Sequence, residues 1–151
     1  MTAYVAEGVD RIRREAPLVH NVTNQVAMTL SANVLIAVGA SPIMSGAPEE
    51  AGELAAMSGA LVVNIGTLTA AWREGAMVAV AGARRANRPW VLDPVGVGAT
   101  AFRRETAQLL LAQRPRIVRG NASEILALAQ GGGGGKGVDS TAGAEAALDA
   151  A

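Results

Sequence analysis

Short apolar runs alternate with longer stretches of helical spacing along most of the chain. The pattern predicts a helix over Ala3–Glu15, stopped by Pro17, then a short strand, Leu18–Val22, running into the polar turn "HNVTN". A helix is predicted over Gln25–Val38. Val26, Leu30, Val34 and Val38 recur there at spacing four, and Gly39 supplies the stop. Ser41–Gly46, "SPIMSG", reads as a short extended piece. Pro48–Ser58 reads as a helix, with Pro48 in the first turn and Glu49 and Glu50 near the positive end of the dipole. Ala60–Ile65, "ALVVNI", is a β-branched strand. Leu68–Asn87 contains a helix that Pro89 prevents from continuing. Trp90–Leu92 is a strand, Phe102–Gln113 a helix, Arg116–Arg119 a strand and Ala122–Gln130 a helix.

Strands this short, separated by helices, imply an α/β fold: a mostly parallel sheet with helices on both faces. The 151 residues are enough for one such domain, expected to span 1–151. One segment departs from the pattern. Gly131–Ser140, "GGGGGKGVDS", opens with five glycines and is expected to be a flexible loop. Thr141–Ala151 has a helical pattern without a stop signal, which suggests a chain cut inside a larger fold.

Composition narrows the function classes. Half of the residues are hydrophobic and only 17% are charged, as a packed core requires. The 13 basic and 13 acidic side chains cancel, so no general attraction to nucleic acid or anionic lipid follows. Tyr4, Trp72, Trp90 and Phe102 are the only aromatics, too few for a base-stacking platform. The absence of Cys removes disulfides, thiolate metal sites and a cysteine nucleophile from this chain. With neither a signal-peptide core nor an apolar run of membrane-spanning length, a cytoplasmic location is the expectation.

Ligands of open parallel sheets bind at the carboxyl ends of the strands. Those ends carry His20, Asn21 and Asn24; Met44 and Ser45; Asn64, Gly66 and Thr67; Asp93; and Arg119, Asn121 and Glu124. Asp93 ends an apolar strand, and a buried carboxylate needs a cation or backbone amides. Mg²⁺ fits, because it takes carboxylate and water oxygens beside phosphates. Organising an Asp-Pro turn is the plainer role for the same residue. In "RGNASE", Asn121 and Glu124 have the spacing of a helix cap. Arg119 and Gly120 just before that cap suit an anion pocket. His20, the single histidine, reads more readily as a hydrogen-bonded structural group than as a base. "GVGATA", Gly96–Ala101, fits a dinucleotide fingerprint, but Pro94 and Val95 interrupt the strand-to-turn junction, and no acidic residue follows at the distance a ribose needs.

Six blocks occur in order: "PLVHNVTNQVAM", "GASPIMSGAPEE", "ALVVNIGTL", "VLDPVGVGAT", "IVRGNASEI" and "KGVDSTAGA". Together they closely resemble the hydroxyethylthiazole kinases of the ribokinase-like superfamily, from about Pro17 onward. The resemblance implies ATP- and Mg²⁺-dependent phosphorylation of a thiazole's primary alcohol, in thiamine biosynthesis or salvage. It implies a homotrimer with the thiazole at a subunit boundary. It also implies that Met44, Asn24 and Gly66 serve the thiazole, that Arg119 and Asn121 serve ATP, and that Asp93 and Glu124 serve Mg²⁺. Members of the family continue for about another hundred residues, which carry a Gly-rich anion hole and the group that activates the hydroxyl. No catalytic residue is therefore expected in this chain, and weak or no turnover is expected of it alone. Three other readings stay open: a non-catalytic fragment that binds thiazole or phosphate, a dinucleotide-dependent oxidoreductase built on "GVGATA", and a degenerate fragment with no function.

Overall fold

The computed structural model describes residues 2–130. The predicted Gly-rich loop at 131–140 and the helical pattern beyond it lie outside the described residues. The element order is α1 (Thr2–Glu15), β1 (Leu18–Val22), α2 (Met28–Val38), β2 (Ser41–Met44), α3 (Pro48–Met57), β3 (Ala60–Asn64), α4 (Ala70–Arg85), β4 (Trp90–Asp93), α5 (Ala101–Leu111), β5 (Ile117–Val118) and α6 (Ala122–Gln130). Most boundaries fall within a few residues of those the periodicity predicts, and the local chemistry accounts for them. Pro48 occupies the first turn of α3. Thr69 and Thr100 cap α4 and α5, their hydroxyls accepting from the amides of Trp72 and Arg103. Gly39 closes α2 at φ 97°, where its amide reaches the Ile36 carbonyl and that of Ala40 reaches Leu35.

The five strands are parallel, in the order β2-β1-β3-β4-β5. The chain steps outward from β1 to β2, then crosses back over β1 and continues through β3, β4 and β5. Because such crossovers are right-handed, α3, α4 and α5 share one face of the sheet and α2 takes the other.

Register partners share a face of the sheet. His20 lies beside Leu61 and Trp90, and Val22 beside Val63 and Leu92. These residues are buried and form one core with Ala51 and Ala55 of α3, Ala76, Ala79, Val80 and Ala83 of α4, and Ala107 and Leu110 of α5. On the opposite face Val19, Val62 and Val91 are only half buried, and Ile117 is exposed.

Helices α3 and α4 approach closely because glycines line their contact. A Cβ on Gly82 would lie 2.1 Å from the Gly52 carbonyl oxygen, and one on Gly75 would lie 1.8 Å from that of Gly46. Only glycine permits that approach.

The periodicity of α2 leads to a different environment. Val26, Leu30, Val34 and Ile36 are exposed, and α2 contains no buried residue. Its apolar stripe faces away from the core that the helical spacing would ordinarily serve.

Candidate functional site

The order of the sheet reverses between β1 and β3, and a crevice opens at the carboxyl ends of the strands at such a point. A cavity of about 510 Å³ lies there, lined from four successive strand ends: Asn24 after β1, Asn64 and Gly66 from β3, Asp93 from β4, and Arg119, Asn121 and Glu124 after β5. Six of the seven site residues expected from the sequence therefore meet in one place. Met44 does not line this cavity. It ends the edge strand β2, paired in register with Asn21, beside a neighbouring cleft that Asn21, Thr23, Ser45 and Gly46 help to line.

A chain of hydrogen bonds runs across the strand ends. Asn24 Nδ2 donates to Asn64 Oδ1 at 2.9 Å, and Asn64 Nδ2 donates to Asp93 Oδ2 at 2.6 Å. The Arg119 guanidinium donates to the same Asp93 oxygen and forms an ion pair with it. Asn64 Oδ1 also accepts from the Gly66 amide at 2.9 Å, while Asn24 Oδ1 accepts from the Ala27 amide at 2.8 Å. Asn64 is thus the hub. The sequence places it at a strand end but gives no sign of its role, because one asparagine after an apolar run does not reveal three partners from different segments.

Gly66 is required by this arrangement. A Cβ there would stand 2.6 Å from the Asn24 Cβ, next to backbone that cannot swing away.

The Asp93 carboxylate is 5% exposed, and its charge is met by Asn64 and Arg119 on a single oxygen. Oδ1 makes no hydrogen bond to protein among the described residues. The Asp93 side chain is buried but that of Arg119 is 73% exposed, so solvent screens the pair and leaves the guanidinium able to turn toward an anion.

Glu124 caps its own helix and also joins two loops. Its Oε2 accepts from the Asn121 amide at 2.8 Å, and Asn121 Oδ1 accepts from the Glu124 amide at 3.0 Å, completing the capping box. Its Oε1 accepts from the Gly96 amide at 3.0 Å, which ties the loop after β4 to the start of α6. Gly96 has φ 65°, a conformation glycine supplies readily. The first glycine of "GVGATA" therefore gives its amide to Glu124, so it is not free to cradle a pyrophosphate.

Arg103, which the sequence does not single out, braces the same region from below. Its guanidinium donates to the carbonyls of Ile65 at 2.7 Å, Val95 at 2.8 Å and Gly66 at 2.6 Å. One cation thereby fixes the spacing of the loops after β3 and β4.

His20 is fully buried on the core side of β1. Its Nε2 lies 2.8 Å from the Ser45 carbonyl, which can only accept, so Nε2 carries the proton and Nδ1 is bare. Nδ1 has no partner among the described residues. Burial pushes the imidazole below its ordinary value, against the opposing pull of the Ser45 carbonyl and the Glu50 charge. His20 is a neutral strut holding the turn after Met44, as the structural reading of a lone histidine expects.

The donor set suits Mg²⁺ held together with a phosphate. That ion is typically bound through one or two carboxylates, the remainder of its shell being phosphate oxygens and water. Asp93 presents an oxygen without a protein partner, and Glu124 lines the same cavity. No group of three or more His, Cys, Asp or Glu side chains able to hold a metal by themselves occurs among the described residues.

Comparison with known proteins bears on the family and the fold. The sequence profile of the hydroxyethylthiazole kinase family matches residues 9–151. A hydroxyethylthiazole kinase of Rhizobium etli is 55% identical over 143 residues, covering 95% of this chain and 55% of the relative. One from Cereibacter sphaeroides is 58% identical over 142 residues, covering 92% of this chain and 54% of the relative. The solved structure of a hydroxyethylthiazole kinase protein from Pyrococcus horikoshii OT3 superposes with a TM-score of 0.83 at 43% identity, over 85% of this chain and 51% of that one. The chain spans about half the length of the curated relatives it matches. It belongs to the hydroxyethylthiazole kinase family.

Proposed function

We propose that this chain supplies the thiazole-, phosphate- and metal-binding edge of an ATP- and Mg²⁺-dependent kinase. The enzyme would transfer the γ-phosphoryl group to the hydroxyethyl alcohol of a thiazole. The observation that carries the reading is the hydrogen-bond chain Asn24–Asn64–Asp93–Arg119 along one cavity, closed on its far side by Glu124. Asn24 and Gly66 shape the thiazole end, with Met44 forming an apolar wall from the adjoining cleft. Arg119 grips a phosphate through its planar fork, with Asn121 beside it. Asp93 and Glu124 would hold Mg²⁺, which when bound supplies charge neutralisation at the transferring phosphoryl group.

These residues bind and orient. Both cavity carboxylates are engaged with protein donors, and the buried imidazole is committed to Ser45. The group that activates the alcohol is expected to come from outside the described residues, so turnover by this chain alone should be weak or absent.

The homotrimer belongs to the same proposal, and the exposed Leu30 and Val34 on one face of α2, with exposed Val26 in the turn before it, support it. Introducing Leu30→Glu should shift the protein to smaller species in sedimentation velocity; an unchanged distribution would remove α2 from the interface.

The functional test mixes the purified chain with the hydroxyethyl thiazole, ATP and Mg²⁺ and looks for phosphorylated thiazole by mass spectrometry. Arg119→Ala serves as a control against contaminating kinases. Ligand binding with little or no product is the expected result. Robust turnover abolished by Arg119→Ala would show that the chain needs no further group, and absence of binding by both thiazole and ATP would defeat the reading.

A further inference from the structure

A second cleft, also about 510 Å³, lies at the opposite, amino-terminal edge of the sheet. It is lined by Arg84 and Arg88 around the end of α4, by Arg114 and Arg116 ahead of β5, and by Trp90 at the start of β4. Four of the chain's 13 basic side chains converge here, and no acidic residue lines the cleft. None of the four forms an ion pair among the described residues, whose ion pairs are Arg11–Glu15, Arg13–Asp10 and Arg119–Asp93. In a chain of zero formal net charge, such a concentration of one sign needs a reason.

Helix polarity explains only part of it. Arg84 lies in the last turn of α4, where a cation complements the dipole, and Arg88 follows closely, donating to the Ala56 carbonyl at 3.1 Å. Arg114 and Arg116 come from a different connection, with the Arg114 backbone at φ 57°. Gln113 accepts from the Arg84 guanidinium, joining the two connections across the cleft.

Trp90, 2% exposed and packed into the core, also borders the cleft, so its indole can report on what the arginines hold.

We propose that this cleft binds a small phosphate-bearing anion, separate from the phosphates handled at the carboxyl edge. Guanidinium forks match phosphate oxygens in pairs, and four of them suit the charge of a phosphate monoester or pyrophosphate better than that of a single carboxylate. The cleft volume is that of a small-molecule site.

Trp90 provides the readout. In a Trp72→Phe protein it is the only tryptophan. Its emission is followed while inorganic phosphate or pyrophosphate is titrated at constant ionic strength, with citrate as a carboxylate control. The expected result is a saturable change with the phosphate compounds. Arg119→Ala should leave that change intact. Arg114→Gln, which removes a guanidinium without a hydrogen-bond partner among the described residues, should weaken it several-fold. Arg84→Gln combined with Arg116→Gln should weaken it at least tenfold, with circular dichroism confirming the fold. The proposal is overturned by no saturable response, by equal titration of the arginine variants, by loss of the response in Arg119→Ala, or by a preference for citrate.

Discussion

Replacing Asn64 by aspartate exchanges one amide nitrogen for an oxygen and leaves the side chain's shape almost unchanged. The two bonds that Asn64 accepts, from Asn24 and Gly66, survive in the variant. The bond it donates to Asp93 does not, and two carboxylates then face each other across the 2.6 Å now spanned by that bond. With an effective dielectric of about 20, the repulsion at such a separation is roughly 6 kcal/mol. Taking up a proton is cheaper: holding a carboxyl of ordinary value about 3.9 protonated costs about 5 kcal/mol at pH 7.5 and about 1.5 kcal/mol at pH 5. The exposed Arg119 guanidinium offsets some of this. The expected penalty of Asn64→Asp is therefore about 3–5 kcal/mol at pH 7.5 and about 1–2 kcal/mol at pH 5. Its sign follows from a folded-state value raised above the unfolded one. The penalty vanishes below about pH 4, where the group is protonated in both states, and grows as pH rises toward the raised value. Urea unfolding followed by tryptophan fluorescence, for variant and parent at both pH values, measures the difference. Asn64→Ala, which loses all three bonds without adding charge, should show a penalty that does not vary with pH in this way. A small penalty for Asn64→Asp, or one equal at both pH values, would refute the placement of Asn64 against the Asp93 carboxylate.

Three further outcomes follow from the packing. Gly82→Ala should cost about 3 kcal/mol or more, because its methyl would press on the Gly52 backbone where nothing can rotate aside; a thermal melt unchanged from the parent would show that α3 and α4 do not touch there. Arg103→Leu leaves three carbonyls without their cation and should cost about 3 kcal/mol by denaturant unfolding while raising hydrogen exchange in the loops after β3 and β4; a change of under 0.5 kcal/mol would contradict the brace. His20 is held neutral by burial, so its contribution to stability is complete above the ordinary value of 6.5 and is lost as pH falls from there through the lowered folded value. The stability of His20→Gln should accordingly fall less between pH 7 and pH 5 than the parent's, and parallel pH profiles would show that the imidazole is not the group responsible.

Much of this architecture is legible in the sequence because local signals coincide with tertiary ones. Pro48 opens α3, Gly39 and Pro89 fall just after α2 and α4 end, and the β-branched run at Ala60–Asn64 becomes a central strand. The strand-end rule gathers Asn24, Gly66, Asp93, Arg119, Asn121 and Glu124 before any coordinate is known. Three features escape it, each for a physical reason. Periodicity reports that α2 has an apolar stripe but not which way the stripe faces, and here Val26, Leu30 and Val34 face outward. Asn64 and Arg103 act through contacts 29 to 40 residues away in sequence, beyond any local pattern. The glycines of α3 and α4 look like weak helix formers until the two backbones meet at Gly82 and Gly52.

The most direct test of the strand-end site is a calorimetric titration of ATP in the presence of Mg²⁺, comparing the parent chain with Arg119→Ala. If the Arg119 guanidinium grips phosphate beside Asp93, the variant should bind about 10- to 100-fold more weakly, as expected for losing a charge-assisted hydrogen bond. Equal affinity in the two proteins would place the nucleotide's phosphates elsewhere and contradict the role given to this edge of the sheet.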